Sequence, residues 1–100
     1  MSEQLPKTYS AFIAAHPGLG KAWNALREAE LEGPLDEQTR RLIKLAVAAG
    51  AMREGGVHSA ARKARAAGIS EEAIAQVVAL AASTLGMPAT VAIFSWLDDD

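Results

Sequence analysis

Apolar residues recur along this chain at intervals of three and four, the spacing that lays side chains along one face of an α-helix. In the range 6–15, Tyr9, Phe12 and Ile13 form such a face, and His16-Pro17-Gly18 is expected to close it. Leu19, Trp23 and Leu26, with Ala22 and Ala29 beside them and Glu30 one turn on, predict a second helix over 19–31 that Gly33-Pro34 stops. Asp36 is placed to cap a third helix reaching about residue 49. Glu37 sits in its first turn, Gly50 marks its end, and Leu42, Ile43, Ala46, Val47 and Ala49 make a broad face expected to be buried.

Gly55-Gly56 precedes an expected helix over 57–67, whose stripe of Val57, Ala60, Ala61 and Ala64 is narrow and suited to close packing. Gly68 is its expected C′ residue. Ser70 then caps a helix with Glu71 and Glu72 at the positive end of its dipole and Ile74, Val77, Val78, Ala81 and Leu85 at helical spacing. The last helix begins at Pro88 and carries Ala92, Ile93, Trp96 and Leu97. Asp98-Asp99-Asp100 behind it opposes its dipole, so the tail is expected to fray. The uncharged run 73–97 is long enough to cross a bilayer. Gly86-Met87-Pro88 breaks it, however, and Gln76, Ser83, Thr84, Thr90 and Ser95 are scattered through it, so two buried helices joined by a tight turn fit better.

Composition supports an all-α fold, a compact bundle of about five to six helices in one domain over 1–100. Alanine, the best helix former, supplies 22 residues, and only five are aromatic. Half of the 100 residues are hydrophobic, but removing those 22 alanines leaves 28 larger apolar side chains, a thin core for one chain. Association of copies is the natural remedy, so a homo-oligomer is expected. The absence of cysteine excludes disulfides, Cys-ligated zinc and thiol nucleophiles. The range 1–6 has no apolar stretch behind a basic segment, so no secretory leader is read and a cytoplasmic home is expected.

Charge is small in total and uneven in place. The net value is −2, but residues 40–65 hold seven of the ten Lys and Arg (Arg40, Arg41, Lys44, Arg53, Arg62, Lys63, Arg65) against one acid, Glu54. That midsection can attract an anion, or it can pair with acidic faces of neighbouring helices or protomers. Nucleic acid is not an expected partner at this net charge.

Arg53-Glu54-Gly55-Gly56-Val57-His58-Ser59 is the segment best suited to chemistry. Free amides at a helix start attract anions, Gly55 and Gly56 permit close approach, and Arg53 adds a guanidinium that fits a carboxylate. Arg62 and Arg65 follow His58 at i+4 and i+7, so charge and a titratable proton share one face. His58 is the candidate general acid, with a surface or interface histidine as the plain alternative; Arg53, Gly55, Gly56 and Arg62 are the candidate substrate contacts. His16 reads as a helix-end residue, Trp23 and Trp96 as core or interface anchors, and Met52 and Met87 as gap fillers. The two histidines have no metal-ligand spacing, and no phosphate loop or dinucleotide fingerprint is present. No metal and no cofactor are expected.

Three blocks together carry a family resemblance: the range 35–48 (LDEQTRRLIKLAVA), the range 64–74 (ARAAGISEEAI) and Gly86-Met87-Pro88-Ala89. Their order and spacing resemble the carboxymuconolactone decarboxylase and alkylhydroperoxidase D-like family over about 65 residues, from Leu35 onward. The resemblance implies an all-helical protomer, assembly into trimers or hexamers, and a pocket near the subunit boundary. It places the peroxidase branch's two cysteines at Arg53 and Gly56, its histidine at Ala60 and its glutamate at Arg41. With all four replaced, thiol peroxidase activity is expected to be absent. The decarboxylase branch is the nearer likeness and implies a small carboxylate or lactone ligand, with Arg53 as cationic clamp and His58 as the acid that reprotonates carbon. His58 stands two residues before the family's histidine position, about 200° round a regular helix. The alternative is a non-catalytic oligomeric helical interaction protein.

Overall fold

The structure, a computed structural model, describes residues 7–98 and is helical throughout its regular elements. Among the described residues there are seven helical segments: α1 Lys7–Ala15, α2 Pro17–Ala29, α3 Glu37–Gly50, α4 Glu54–Ala66, α5 Glu71–Leu80, α6 Ala82–Leu85 and α7 Met87–Trp96. The expected start of the first helix at Pro6, and the part of the tail at Asp99 and Asp100, lie outside the described residues. The chain divides into two compact units, 1–34 and 35–100.

In the first unit, His16 is the helix-end residue expected of it. Its N–H donates to Phe12 O at 2.9 Å, its carbonyl accepts from Leu19 N–H at 3.0 Å, and its ring lies 5.0 Å from that of Phe12. Pro17 and Gly18 do not separate the helices by a loop; they form the first turn of α2, where proline's missing N–H costs nothing. A Cβ on Gly20 would come within 2.9 Å of Ile13, so bare backbone lets the two helices close there. Neither α1 nor α2 contains a buried residue.

The second unit holds the core: Leu45, Ala49, Val57, Ala61, Ala64, Ile69, Ile74, Val78, Ile93 and Leu97. Two of its helices, α3 and α5, start at the expected caps. Asp36 Oδ1 accepts the Thr39 N–H at 2.8 Å and Ser70 Oγ accepts the Ala73 N–H at 3.1 Å, each satisfying an otherwise orphaned amide. The bond to Thr39 holds the Asp36 carboxyl below the usual carboxylate range. Among the described residues no helix is long and apolar enough to cross a membrane.

Three expectations need correcting. On α3 the buried residues are Leu45 and Ala49; Ile43 and Ala46 are exposed and Val47 is 66% exposed. The apolar arc of α3 is wider than the surface its own chain covers, so periodicity overestimated the burial. The helix expected to run from Ser70 to Leu85 breaks at Ala81, where i to i−3 bonds (Ala81 N–H to Val78 O, Thr84 N–H to Ala81 O) divide α5 from α6. Met52 and Met87 fill no gap, because both are exposed.

Arg65 ties the end of α4 to two other elements. Its Nε and Nη2 donate to the Glu71 carboxylate at 2.6 and 3.2 Å, and Nη2 also donates to Leu97 O at 2.8 Å, placing a cation at the negative end of α7. This fork holds the Glu71 carboxyl below its ordinary range and pushes the Arg65 guanidinium up, with burial working against the rise. Thr90, the buried polar residue, is satisfied by donating to Gly86 O at 2.8 Å.

Candidate functional site

The candidate site begins at the turn between α3 and α4. Met52 N–H donates to Ala49 O and Arg53 N–H to Ala48 O, both at 3.0 Å, while Met52 takes the left-handed conformation at φ 55°. That pair of bonds is a Schellman ending. Gly50, expected to end the helix, is its last helical residue, and a methionine occupies the position where glycine is usual. The turn delivers Arg53 to the N-cap of α4 in extended conformation, with no side-chain cap on the first amides and its side chain exposed.

Gly55 and Gly56 lie inside the first turn of α4, not ahead of it. A Cβ on Gly56 would sit 3.3 Å from Ala48 Cβ and 3.3 Å from Arg53 Cβ, so its bare backbone serves the close approach of α4 to α3. Gly55 has nothing within 4 Å of that position and leaves the first turn open. Along α4, Arg53, Gly56 and Ala60 share one flank, the one turned to α3 through Gly56. At 100° per residue, His58 lies about 140° round from Arg53. It falls on the flank of Arg65, which reaches α5 and the end of α7.

His58 is half-buried, its side chain 16% exposed, and Nε2 stands 3.7 Å from Glu54 Oε2 one turn earlier. Arg62, one turn later, is exposed. Arg65 is committed to Glu71 and Leu97, and Arg41, at the family's glutamate position, lies 3.9 Å from Glu37. Part of the cationic midsection is thus spent on pairs within the chain. Within one copy, His58 and Arg62 share a flank, and Arg53 does not share it.

Sequence reasoning passed over a cavity. One of about 230 Å³ opens between α3, α5 and α6, lined by Ala46, Ala49, Gly50, Val77, Leu80, Ala81, Thr84 and Leu85. Its lining is apolar apart from the Thr84 hydroxyl, and none of the five sequence-predicted site residues lines it. The break at Ala81 shapes one wall, and Ala46, Ala49 and Gly50, at i, i+3 and i+4 with little side chain, form the other. That run of small residues was the available signal; reading it as ordinary alanine-rich helix hid it. Arg53 follows Gly50 by three residues, so no more than about 11 Å of chain separates the cavity wall from this cation.

A search among curated proteins finds no match. The profile of the carboxymuconolactone decarboxylase family matches residues 17–99, extending the likeness seen from Leu35 onward back through α2. With most of its length so matched, in an all-helical chain without cysteine, this protein belongs to the carboxymuconolactone decarboxylase family.

Proposed function

We propose that the protein binds a small organic acid or lactone, holding an anionic end with Arg53 and an apolar body in the cavity between α3, α5 and α6. The position of Arg53 carries this reading: an exposed guanidinium at an uncapped helix start, three residues from the wall of an apolar cavity. A carboxylate on a small hydrophobic frame matches that pairing of charge and apolar space. Glu54 in the same first turn competes with an anion, which makes the guanidinium, more than the helix dipole, the group that selects the ligand.

On this ligand the protein acts as a cofactor-independent decarboxylase or related lyase. The bond between the carboxyl carbon and its neighbour breaks, carbon dioxide leaves, and the bond's electron pair is delocalised from that neighbour onto the carbonyl or lactone attached to it until a proton reaches the carbon that lost the carboxyl group. His58 is the proposed donor. Its flank of α4 is not that of Arg53, so the proposed transfer runs between copies, with Arg53 of one holding the ligand and His58 of another protonating it. Assembly into trimers or hexamers belongs to the same proposal.

Thermal unfolding with benzoate and with a carboxylated γ-lactone, beside neutral benzamide, tests it. At one hundred times Kd the acids should add about 2.7 kcal/mol, a rise on the order of 10 °C for a chain of this size. Arg53→Ala should abolish the rise and leave the melting of the free protein nearly unchanged. Equal rises in Arg53→Ala, or no rise with either acid, would sink the proposal, and the second result would favour a non-catalytic helical assembly.

A further inference from the structure

Among the side chains that line the cavity between α3, α5 and α6, one is polar, that of Thr84 on α6. A threonine or serine hydroxyl on a helix commonly spends its proton on a carbonyl three or four residues back. Thr90 does so with Gly86 O at 2.8 Å, and Ser95 with Ala92 O at 2.6 Å. Among the described residues, Thr84 Oγ1 has no hydrogen-bond partner, so its capacity is unspent at the cavity. Size narrows what can meet it. An apolar cavity of about 150 Å³ takes one benzene ring, so about 230 Å³ holds one ring with a substituent or two. On the α3 side, a Cβ added to Gly50 would meet nothing within 4 Å, so that wall leaves room for a ligand.

We propose that Thr84 is the specificity-determining residue of this cavity, and that the ligand is a one-ring acid carrying a second oxygen on its ring, which pairs with the Thr84 hydroxyl. The inference rests on the reading that Arg53 holds an acid whose body lies in the cavity, and adds which bodies are preferred. Arg53 is not among the lining residues, so the carboxylate it holds leaves Thr84 to a second polar group. A hydroxyl both donates and accepts, so it serves a ring hydroxyl or a ring carbonyl alike. A plain hydrocarbon ring would take Thr84 from water and give it no bond in exchange. Thr84 is exposed, however, and selection therefore appears as a ratio of affinities. One neutral hydrogen bond changes affinity about fivefold, well short of the roughly 10⁴-fold rejection that a sealed polar site reaches.

Calorimetric titration of the full chain with meta- and para-hydroxybenzoate against meta- and para-methylbenzoate tests it, hydroxyl and methyl being alike in size. At one ring position or the other, the ratio of methyl to hydroxyl Kd should fall about fivefold in Thr84→Val, which keeps the shape and loses the hydroxyl. Thr84→Ser, which keeps the hydroxyl, should hold the wild-type ratio. Each ratio compares two ligands on one variant, so a general loss of stability does not imitate the result. Gly50→Leu, which builds into the open side of the wall, should weaken all of these acids. A ratio unchanged in Thr84→Val at both ring positions, or lost equally in Thr84→Ser, would overturn the role of Thr84 and leave that of Arg53 standing. Binding of none of the acids, binding unaltered in Arg53→Ala, or binding undiminished in Gly50→Leu would overturn the proposed function and this inference with it.

Discussion

Two helix ends in the second unit are closed by the same pair of hydrogen bonds and differ in the residue that bears the turn. After α4, Gly68 takes φ 87°, its N–H donating to Arg65 O and that of Ile69 to Ala64 O. After α3, Met52 takes φ 55° with the equivalent bonds to Ala49 O and Ala48 O. Glycine enters the left-handed region freely, whereas a residue with a Cβ does so at a cost of about 1–2 kcal/mol. The Gly68 turn is supported by Gln38, whose Nε2 donates to Ala67 O at 2.9 Å, and by the Arg65–Glu71 fork. It joins helices and does nothing else evident. The strained turn is the one that sets Arg53 at the head of α4, and strain kept beside a candidate site is the pattern expected of a position held for function rather than stability.

Substitution at the two turns should therefore act in opposite directions. The largest effect is expected from Gly68→Val, which forces a β-branched residue into the left-handed region. Chemical unfolding should register a loss of about 2 kcal/mol or more. Met52→Gly should do the reverse, raising stability by about 1 kcal/mol, a rise of roughly 4–8 °C in Tm. If Met52→Gly also weakens benzoate binding, the strained turn positions Arg53; if binding is untouched, the strain has no role in the site.

The smallest effect is a pH dependence belonging to the Gly68 side. Glu71 and Asp36 have native carboxyl pKa values below their ordinary ones, which lie near 4, through the bonds to Arg65 and to Thr39. Such groups contribute stability above the unfolded value and lose it as pH falls through the lowered native value. Tm should be level from pH 7 to about 5 and fall below about 4. Glu71→Gln should flatten part of that fall, whereas Met52→Gly should shift the whole curve without changing its shape. The raised Arg65 pKa adds nothing to this window, since the guanidinium is charged throughout it.

Much of the helix inventory was legible because its signals are local. Asp36 and Ser70 cap the helices they were expected to cap, Gly68 is the C′ residue, and Val57, Ala61, Ala64, Ile74, Val78, Ile93 and Leu97 are buried as their spacing implied. Legibility failed where two signals compete. Gly50 ends α3 as expected, but the left-handed residue that closes the turn is Met52, a conformation that no residue preference favours. Gly55-Gly56 read as a loop, yet first-turn positions tolerate glycine and packing against Ala48 needs it. On α3, apolar content marked Ile43 and Val47 as core, but how much of that arc is covered depends on which helices arrive beside it. The cavity was illegible for the same reason: alanine and glycine at i, i+3 and i+4 look alike whether a neighbouring helix fills the space or stops short of it.

The order of residues alone settled that this chain is helical, where most of its helices begin and end, that it can do no thiol chemistry, and which blocks tie it to its family. These are consequences of propensity, capping and inventory, each decided within a few residues. Tertiary structure decided that the Gly56 flank of α4 turns to α3, that Arg65 is spent on Glu71 and Leu97, and that a cavity opens beside Gly50. Those outcomes depend on the rotation of one helix against another, and near-neighbour preferences do not specify that rotation.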